Sequence, residues 1–288
     1  MRIKGCHYAL VLGILSLILS GCVATKKQEL GEDSSFGQPI DVSRQDMLGG
    51  LQQYLSQLQN QGNAGNQQAQ RQMGEIFLAS GDKQKAIQWL KDAANNGDVD
   101  AQVKLGDMYV NGMNLLPDYA EAFVWYKKAA EKGNAHAQGQ VASFYLNGKG
   151  TAYNLEQSIH WDRLAAEKGI AKSQNNLGAA YTHGEGVKKN AERAVYWYSK
   201  AANQGITEAQ FNLAGSYYLG RGINKNDELA YAWYATVAEY GNAEIAETAK
   251  MVMKRLVPSL SKVGKYASSK KLAQQYIATY APKKSVAE

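Results

Sequence analysis

Residues 173–205 read SQNNLGAAYTHGEGVKKNAERAVYWYSKAANQG. Behind Ser173, Leu177 and Tyr181 fall at i+4 and i+8, which lines one face of a helix. Gly184-Glu185-Gly186 supplies two residues able to take positive φ, so the helix ends there and the chain turns back. Ala194, Trp197, Ala201 and Ala202 then recur at i, i+3, i+7 and i+8, the large-against-small pattern by which two helices interlock. The stretch is a helix-turn-helix hairpin, closed by Gly205 eight places after the tryptophan.

Outward from it, the same pattern repeats. The chain's five tryptophans, Trp89, Trp125, Trp161, Trp197 and Trp233, stand 36 residues apart throughout. Units opening at Ala101, Ala137, Ser173 and Ala209 superpose without a gap. Leu105, Val141, Leu177 and Leu213 fall together, followed by Gly106, Ala142, Gly178 and Ala214, then Tyr109, Tyr145, Tyr181 and Tyr217. The small residue beside the Leu/Val position is expected where the two helices of a unit touch. The turn recurs as Gly148-Lys149-Gly150 and Gly220-Arg221-Gly222, and in the second unit Asn114 replaces the second glycine. A fixed period of this size marks an architecture whose units cannot bury their apolar faces alone. The tryptophans, set among alanines at regular spacing, read as its structural core.

The run Ala-Gln-x-x-Leu-Gly-x-x-Tyr, Gly-x-Gly-Val/Ile, Ala-x-x-Trp-Tyr-x-Lys-Ala-Ala, then Gly, resembles the Sel1-like repeat, a relative of the tetratricopeptide repeat with a longer hairpin turn. The resemblance covers about 69–244. It implies an all-α fold, an α-solenoid of about five helix-turn-helix repeats over 68–244 with N- and C-terminal capping helices. The first unit, only 32 residues from Ala69 to Ala101 with Gly81-Asp82 as its turn, is closer to a plain tetratricopeptide hairpin. The third departs at Asp162, where Tyr126, Tyr198 and Tyr234 stand in the others. Before the repeats, an amphipathic helix capped by Ser43 is expected over 44–60, ended by the linker QGNAGNQ, so that 44–67 forms the N-terminal cap. After them, 245–281 is expected to hold two capping helices, Glu244–Leu256 and Ser259–Tyr280, separated at Pro258, with 282–288 a frayed tail.

The amino terminus adds an address. Met1-Arg2-Ile3-Lys4 is basic, Ala9–Leu19 is apolar and too short to span a bilayer comfortably, and Leu19-Ser20-Gly21-Cys22 follows. This resembles the signal peptide (1–21) and lipobox of bacterial lipoproteins, which implies lipidation, palmitate included, at Cys22. Val23 in place of an Asp points, within that resemblance, to the outer membrane. Residues 22–43 form a polar tether spanning on the order of 25 Å.

Composition narrows the function. The folded part lacks cysteine, because Cys6 and Cys22 are the only two in the chain, so it can hold neither a disulfide framework nor a thiolate metal site. Without Arg2 and Lys4 the chain carries 30 basic and 26 acidic residues, a net +4 scattered in mixed-sign clusters, which argues against a nucleic-acid partner. Neither a catalytic nor a cofactor motif stands out. Glu156, His160 and Asp162 cluster in one unit only and read as an exposed helix surface.

A second face of the first helix of each unit carries Lys104, Gln140, Phe144, Asn147, Asn176, His183 and Asn212. In related solenoids this face lines a concave groove, where carboxamides can grip an extended peptide. The expected function is therefore a non-enzymatic, lipid-anchored adaptor at the outer membrane, facing the periplasm. Its expected partners are envelope, secretion or export proteins, since the resemblance extends to scaffolds of assembly and export machinery such as a lipoprotein of alginate export. One alternative is a cell-wall or β-lactam-directed hydrolase, like cysteine-rich relatives that carry a disulfide in each repeat. Another is a surface-exposed factor that engages host proteins.

Overall fold

The computed structural model describes residues 44–112 and 116–282. The expectations for the signal peptide, Cys22, the tether, the Ser43 cap, Asn114 and the last six residues lie outside that range. Two compact units divide the chain, Met1–Ala129 and Ala130–Glu288. Among the described residues there are thirteen α-helices and no strand, an all-α solenoid.

The first unit holds α1 (Arg44–Asn63), α2 (Gln67–Ala79), α3 (Lys83–Asn95), α4 (Val99–Val110) and most of α5 (Tyr119–Glu131). The second holds α6 (Ala135–Asn147), α7 (Leu155–Glu167), α8 (Ala171–His183), α9 (Ala191–Ala202), α10 (Thr207–Leu219), α11 (Asp227–Tyr240), α12 (Ala243–Lys262) and α13 (Tyr266–Thr279). From α2 to α11 the helices pair as helix A and helix B of five repeats.

Within a repeat, close approach depends on a missing side chain. A Cβ on Gly106 would lie 2.7 Å from the ring of Tyr126, and one on Gly178 would lie 2.6 Å from that of Tyr198, so the small position is indeed where helix B leans on helix A. Between the helices, Gly148, Gly184 and Gly220 take left-handed φ of 62°, 81° and 68° and end helix A. Asn154, Asn190 and Asn226 then start helix B, each side chain accepting from the backbone N–H three residues on. Their own N–H groups donate back to the carbonyls of Tyr145, Tyr181 and Tyr217, which closes the loop.

Between repeats the joint is a buried glutamine. The Nε2 groups of Gln70, Gln102, Gln138, Gln174 and Gln210 each donate to a carbonyl eight residues earlier, at Gly62, Ala94, Ala130, Ala166 and Ala202. All five side chains are buried. The accepting carbonyls sit in the last turn of the preceding helix, where intrahelical donors have run out.

The tryptophans reach back across the same joint. Trp125 joins Leu90, Ala93 and Ala94 of α3 and Leu105 and Met108 of α4 in one cluster, and Trp89 packs on Leu58, Met73 and Ile76. Trp125, Trp161 and Trp233 are buried, while Trp89 and Trp197 are half-buried.

Three boundaries differ from the sequence reading. α1 runs on to Asn63 because Gly62 fits beneath Trp89, where a Cβ would meet the ring at 2.7 Å. α12 continues through Pro258 to Lys262, anchored by buried Leu256 and Leu260, and the break falls at Gly264 with φ +70°. Pro258 lacks the N–H bond and crowds the Lys254 carbonyl one turn back, and the burial of Leu256 and Leu260 holds the helix together past it. Finally, Pro282 is docked: the Tyr280 carbonyl accepts from Gln210 Nε2 at 2.7 Å, and Ala281 and Pro282 lie against Gly205. α13 covers Trp233, whose ring meets Tyr276 and Tyr280 at 4.8 Å each.

Replacing Trp125 with Ala is expected to cost about 3–5 kcal/mol in urea unfolding, and replacing the more exposed Trp197 distinctly less. Equal losses would show that exposure does not set their contribution. Gln174→Ala removes the second donor from a carbonyl that keeps its bond from the Gly169 N–H, and is expected to cost about 0.5–1.5 kcal/mol, measured in the same way.

Candidate partner-binding face

The second face of helix A is built unevenly. In the first unit, Lys104 Nζ is held by Glu75 at 3.0 Å. In the second, Gln140 lies 3.3 Å from the His136 ring, and Asn147 Nδ2 donates to the Ser143 carbonyl at 2.8 Å. Phe144 is buried, so it supports the face from beneath. His183 is exposed in the last turn of α8. Asn176 Nδ2 donates to Asp162 Oδ2 at 3.0 Å. Only the Asn212 carboxamide has no hydrogen-bond partner among the described residues, and it opens into a pocket.

That pocket, of about 570 Å³, lies between the α8–α9 hairpin and α10. Tyr198, Phe211 and Leu219 give it an apolar floor; Thr182, Asn212 and Ser216 supply hydrogen-bonding groups; Lys189 and Arg221 stand at its edge. Beside it is a second pocket of about 440 Å³, lined by Arg163, Lys188, Lys189, Arg193 and Tyr181 with the intervening turn. The helical period by itself puts Asn212, Ser216 and Leu219 on this face, and it gives no sign of Phe211 or of the cations around them. Phe211 occupies a position that is Val103, Gly139 and Asn175 in the other repeats, a break in the period that signals a local specialisation. The charge that looked scattered along the chain is gathered here, because residues 30 and more apart in sequence meet at one turn.

Asp162 is the other departure from the period. Where three other repeats place Tyr126, Tyr198 and Tyr234 and the first places Leu90, this carboxyl is buried between helices, and its Oδ1 has no hydrogen-bond partner among the described residues. Burial pushes its pKa up to about 6, while hydrogen bonds from Ser173 and Asn176 and the charge of Lys172 pull the other way. The Glu156–His160–Asp162 cluster does not assemble, since Asp162 turns inward and His160 packs edge-on against Trp161 at 5.4 Å. Among the described residues, no three His, Cys, Asp or Glu side chains stand together as a metal site.

A family model described as Sel1 repeat matches five consecutive segments, 67–98, 99–134, 135–170, 171–206 and 207–239. No curated protein matches the chain. Among solved structures, a protective antigen present in uropathogenic Escherichia coli strains, displaying an SLR fold, is similar at 30% identity with a TM-score of 0.64. The match covers 80% of this chain and 49% of that one, so this chain spans about half the antigen's length. A Sel1 repeat protein from Oxalobacter formigenes is similar at 28% identity and a TM-score of 0.57, over 73% of this chain and 97% of that one.

The raised pKa of Asp162 fixes a pH dependence. At pH values where the carboxyl is protonated in folded and unfolded chains alike it contributes nothing. Between about 4 and about 6 the unfolded chain releases the proton while the folded chain retains it, so stability falls as pH rises and then levels off. Asp162→Asn is therefore expected to stabilise the protein by on the order of 2 kcal/mol at pH 8 and far less at pH 4. Melting temperatures across that range check it, and a pH-independent difference contradicts it.

Proposed function

Because the chain belongs to the Sel1 repeat family, whose fold is typical of protein–protein interaction scaffolds, we propose that it is a lipid-anchored adaptor of the bacterial envelope. Cys22 holds it at the outer membrane, facing the periplasm, and the helix A face of its repeats receives envelope, secretion or export proteins. The observation that carries the reading is the pocket beside Asn212. It lies on the helix A face and combines an apolar floor with the unpaired Asn212 carboxamide, while the Thr182 and Ser216 hydroxyls donate to the Gly178 and Asn212 carbonyls.

Anchoring rests on the apolar run Ala9–Leu19 followed by Leu19-Ser20-Gly21-Cys22. Acyl chains on that cysteine give a durable attachment, each buried methylene adding about 0.8 kcal/mol. Among the described residues no helix is long and apolar enough to cross a membrane. Similarity to a protective antigen favours a second reading, display on the outer surface, where the same face would meet host proteins.

Cys22→Ser is expected to abolish metabolic labelling with a palmitate analogue and to release the protein from the membrane fraction; persistent labelling would sink the anchor. A photo-crosslinking residue in place of Asn212 should yield adducts with envelope proteins, whereas the same residue at exposed Tyr196 on helix B should not. Protease digestion of intact cells separates the two readings, since only a surface-displayed chain is cut.

A further inference from the structure

Five cations, Arg163, Lys188, Lys189, Arg193 and Arg221, line the two neighbouring pockets of the second unit, and Lys189 lines both. No carboxylate lines either pocket. Glu185 and Glu192 are close in sequence but stand outside both cavities, and none of the five cations forms an ion pair among the described residues. The next cavity along the same unit is built differently. There Lys225 meets Asp227 at 3.4 Å and Lys265 meets Glu228 at 2.7 Å, so each cation brings its own counter-charge. Like charges crowded without a partner repel one another, and an incoming anion relieves that repulsion.

One of these cations is also positioned. The Arg193 guanidinium donates to the Tyr181 hydroxyl at 3.2 Å and lies 5.5 Å from the centre of the Tyr181 ring, so part of the ordering cost of binding is met in advance. Next to this basic half, the larger pocket offers Tyr198, Phe211 and Leu219, and Leu219 is 52% exposed. An apolar well with Lys189 and Arg221 on its edge fits a side chain that is apolar itself and flanked by carboxylates.

We infer that the partner segment taken by this face is an acidic peptide. One apolar residue enters the well beside Asn212, and Asp or Glu residues on either side meet Arg221 and Lys189 in one direction and Arg163, Lys188 and Arg193 in the other. The inference rests on the scaffold reading and names the chemistry of its partner. An anionic lipid headgroup would satisfy the cations but leaves the Asn212 carboxamide on the pocket wall without a partner, which favours the peptide.

The test is selection of a random dodecapeptide phage library on the full-length chain in detergent micelles, beside the Lys189→Glu/Arg221→Glu double variant. Both sites are exposed, and an unchanged melting curve verifies that the variant is folded. The expected result is strong enrichment of Asp and Glu around one apolar residue, at least a tenfold loss of affinity for the selected peptides in the variant, and weakening by salt. Selected peptides without acidic enrichment, or equal binding by the variant, overturn the charge inference and leave the scaffold reading standing. Failure to select any peptide overturns both. Absence of acidic enrichment together with protection of Lys188 and Lys189 from acetylation in phosphatidylglycerol but not phosphatidylcholine nanodiscs assigns the cations to a bilayer and likewise overturns the proposal.

Discussion

A glutamine amide donated across the joint between repeats is the contact on which the rest of this fold depends. A two-helix hairpin of this size cannot bury both of its faces, so each repeat is stable only against the next. Stacking places the last turn of one helix B, with its surplus carbonyls, against the first turn of the following helix A. Each of those carbonyls accepts one backbone N–H, from the glycine three residues on, and turns its second lone pair toward the joint. The Nε2 groups of Gln102, Gln138, Gln174 and Gln210 answer them at Ala94, Ala130, Ala166 and Ala202, always eight residues back. Because the side chain has one reach, an insertion between carbonyl and glutamine would break the bond, which accounts for the gapless spacing there.

The same logic explains how the repeats stop. The last glutamine of this series, Gln210, donates to Ala202 and also to the carbonyl of Tyr280, which caps α13. α13 therefore does more than screen apolar surface. It packs Tyr276 and Tyr280 around Trp233 and lays Ala281 and Pro282 over Gly205, filling the place where a following repeat would have made its contacts.

Departures from the period are where the molecule becomes individual. Asp162 replaces a packed tyrosine with a buried carboxyl tied to Asn176, which withdraws that carboxamide from the open face. Phe211, Arg221 and the Lys188-Lys189 pair instead shape the cavities in the fourth and fifth repeats. Regular positions hold the scaffold together, and irregular ones give it something to recognise.

Much of this was legible in the residues alone. The tryptophan period, the alanines of helix B, the turn glycines and the small residue facing Tyr126 and Tyr198 specify hairpins, because helical spacing and conformational freedom are local properties of the chain. Capping by Asn154, Asn190 and Asn226 was written in the same period and could have been read from it. The tertiary structure decided what depends on meetings between distant residues. It showed that Gln140 and Asn176 are already engaged while Asn212 is free, that α12 runs through Pro258, and that cations from α7, α9 and two turns converge. Spacing along a helix says which face a side chain occupies; only packing of the neighbouring helices says whether that face finds a hydrogen-bond partner, a counter-charge or open solvent.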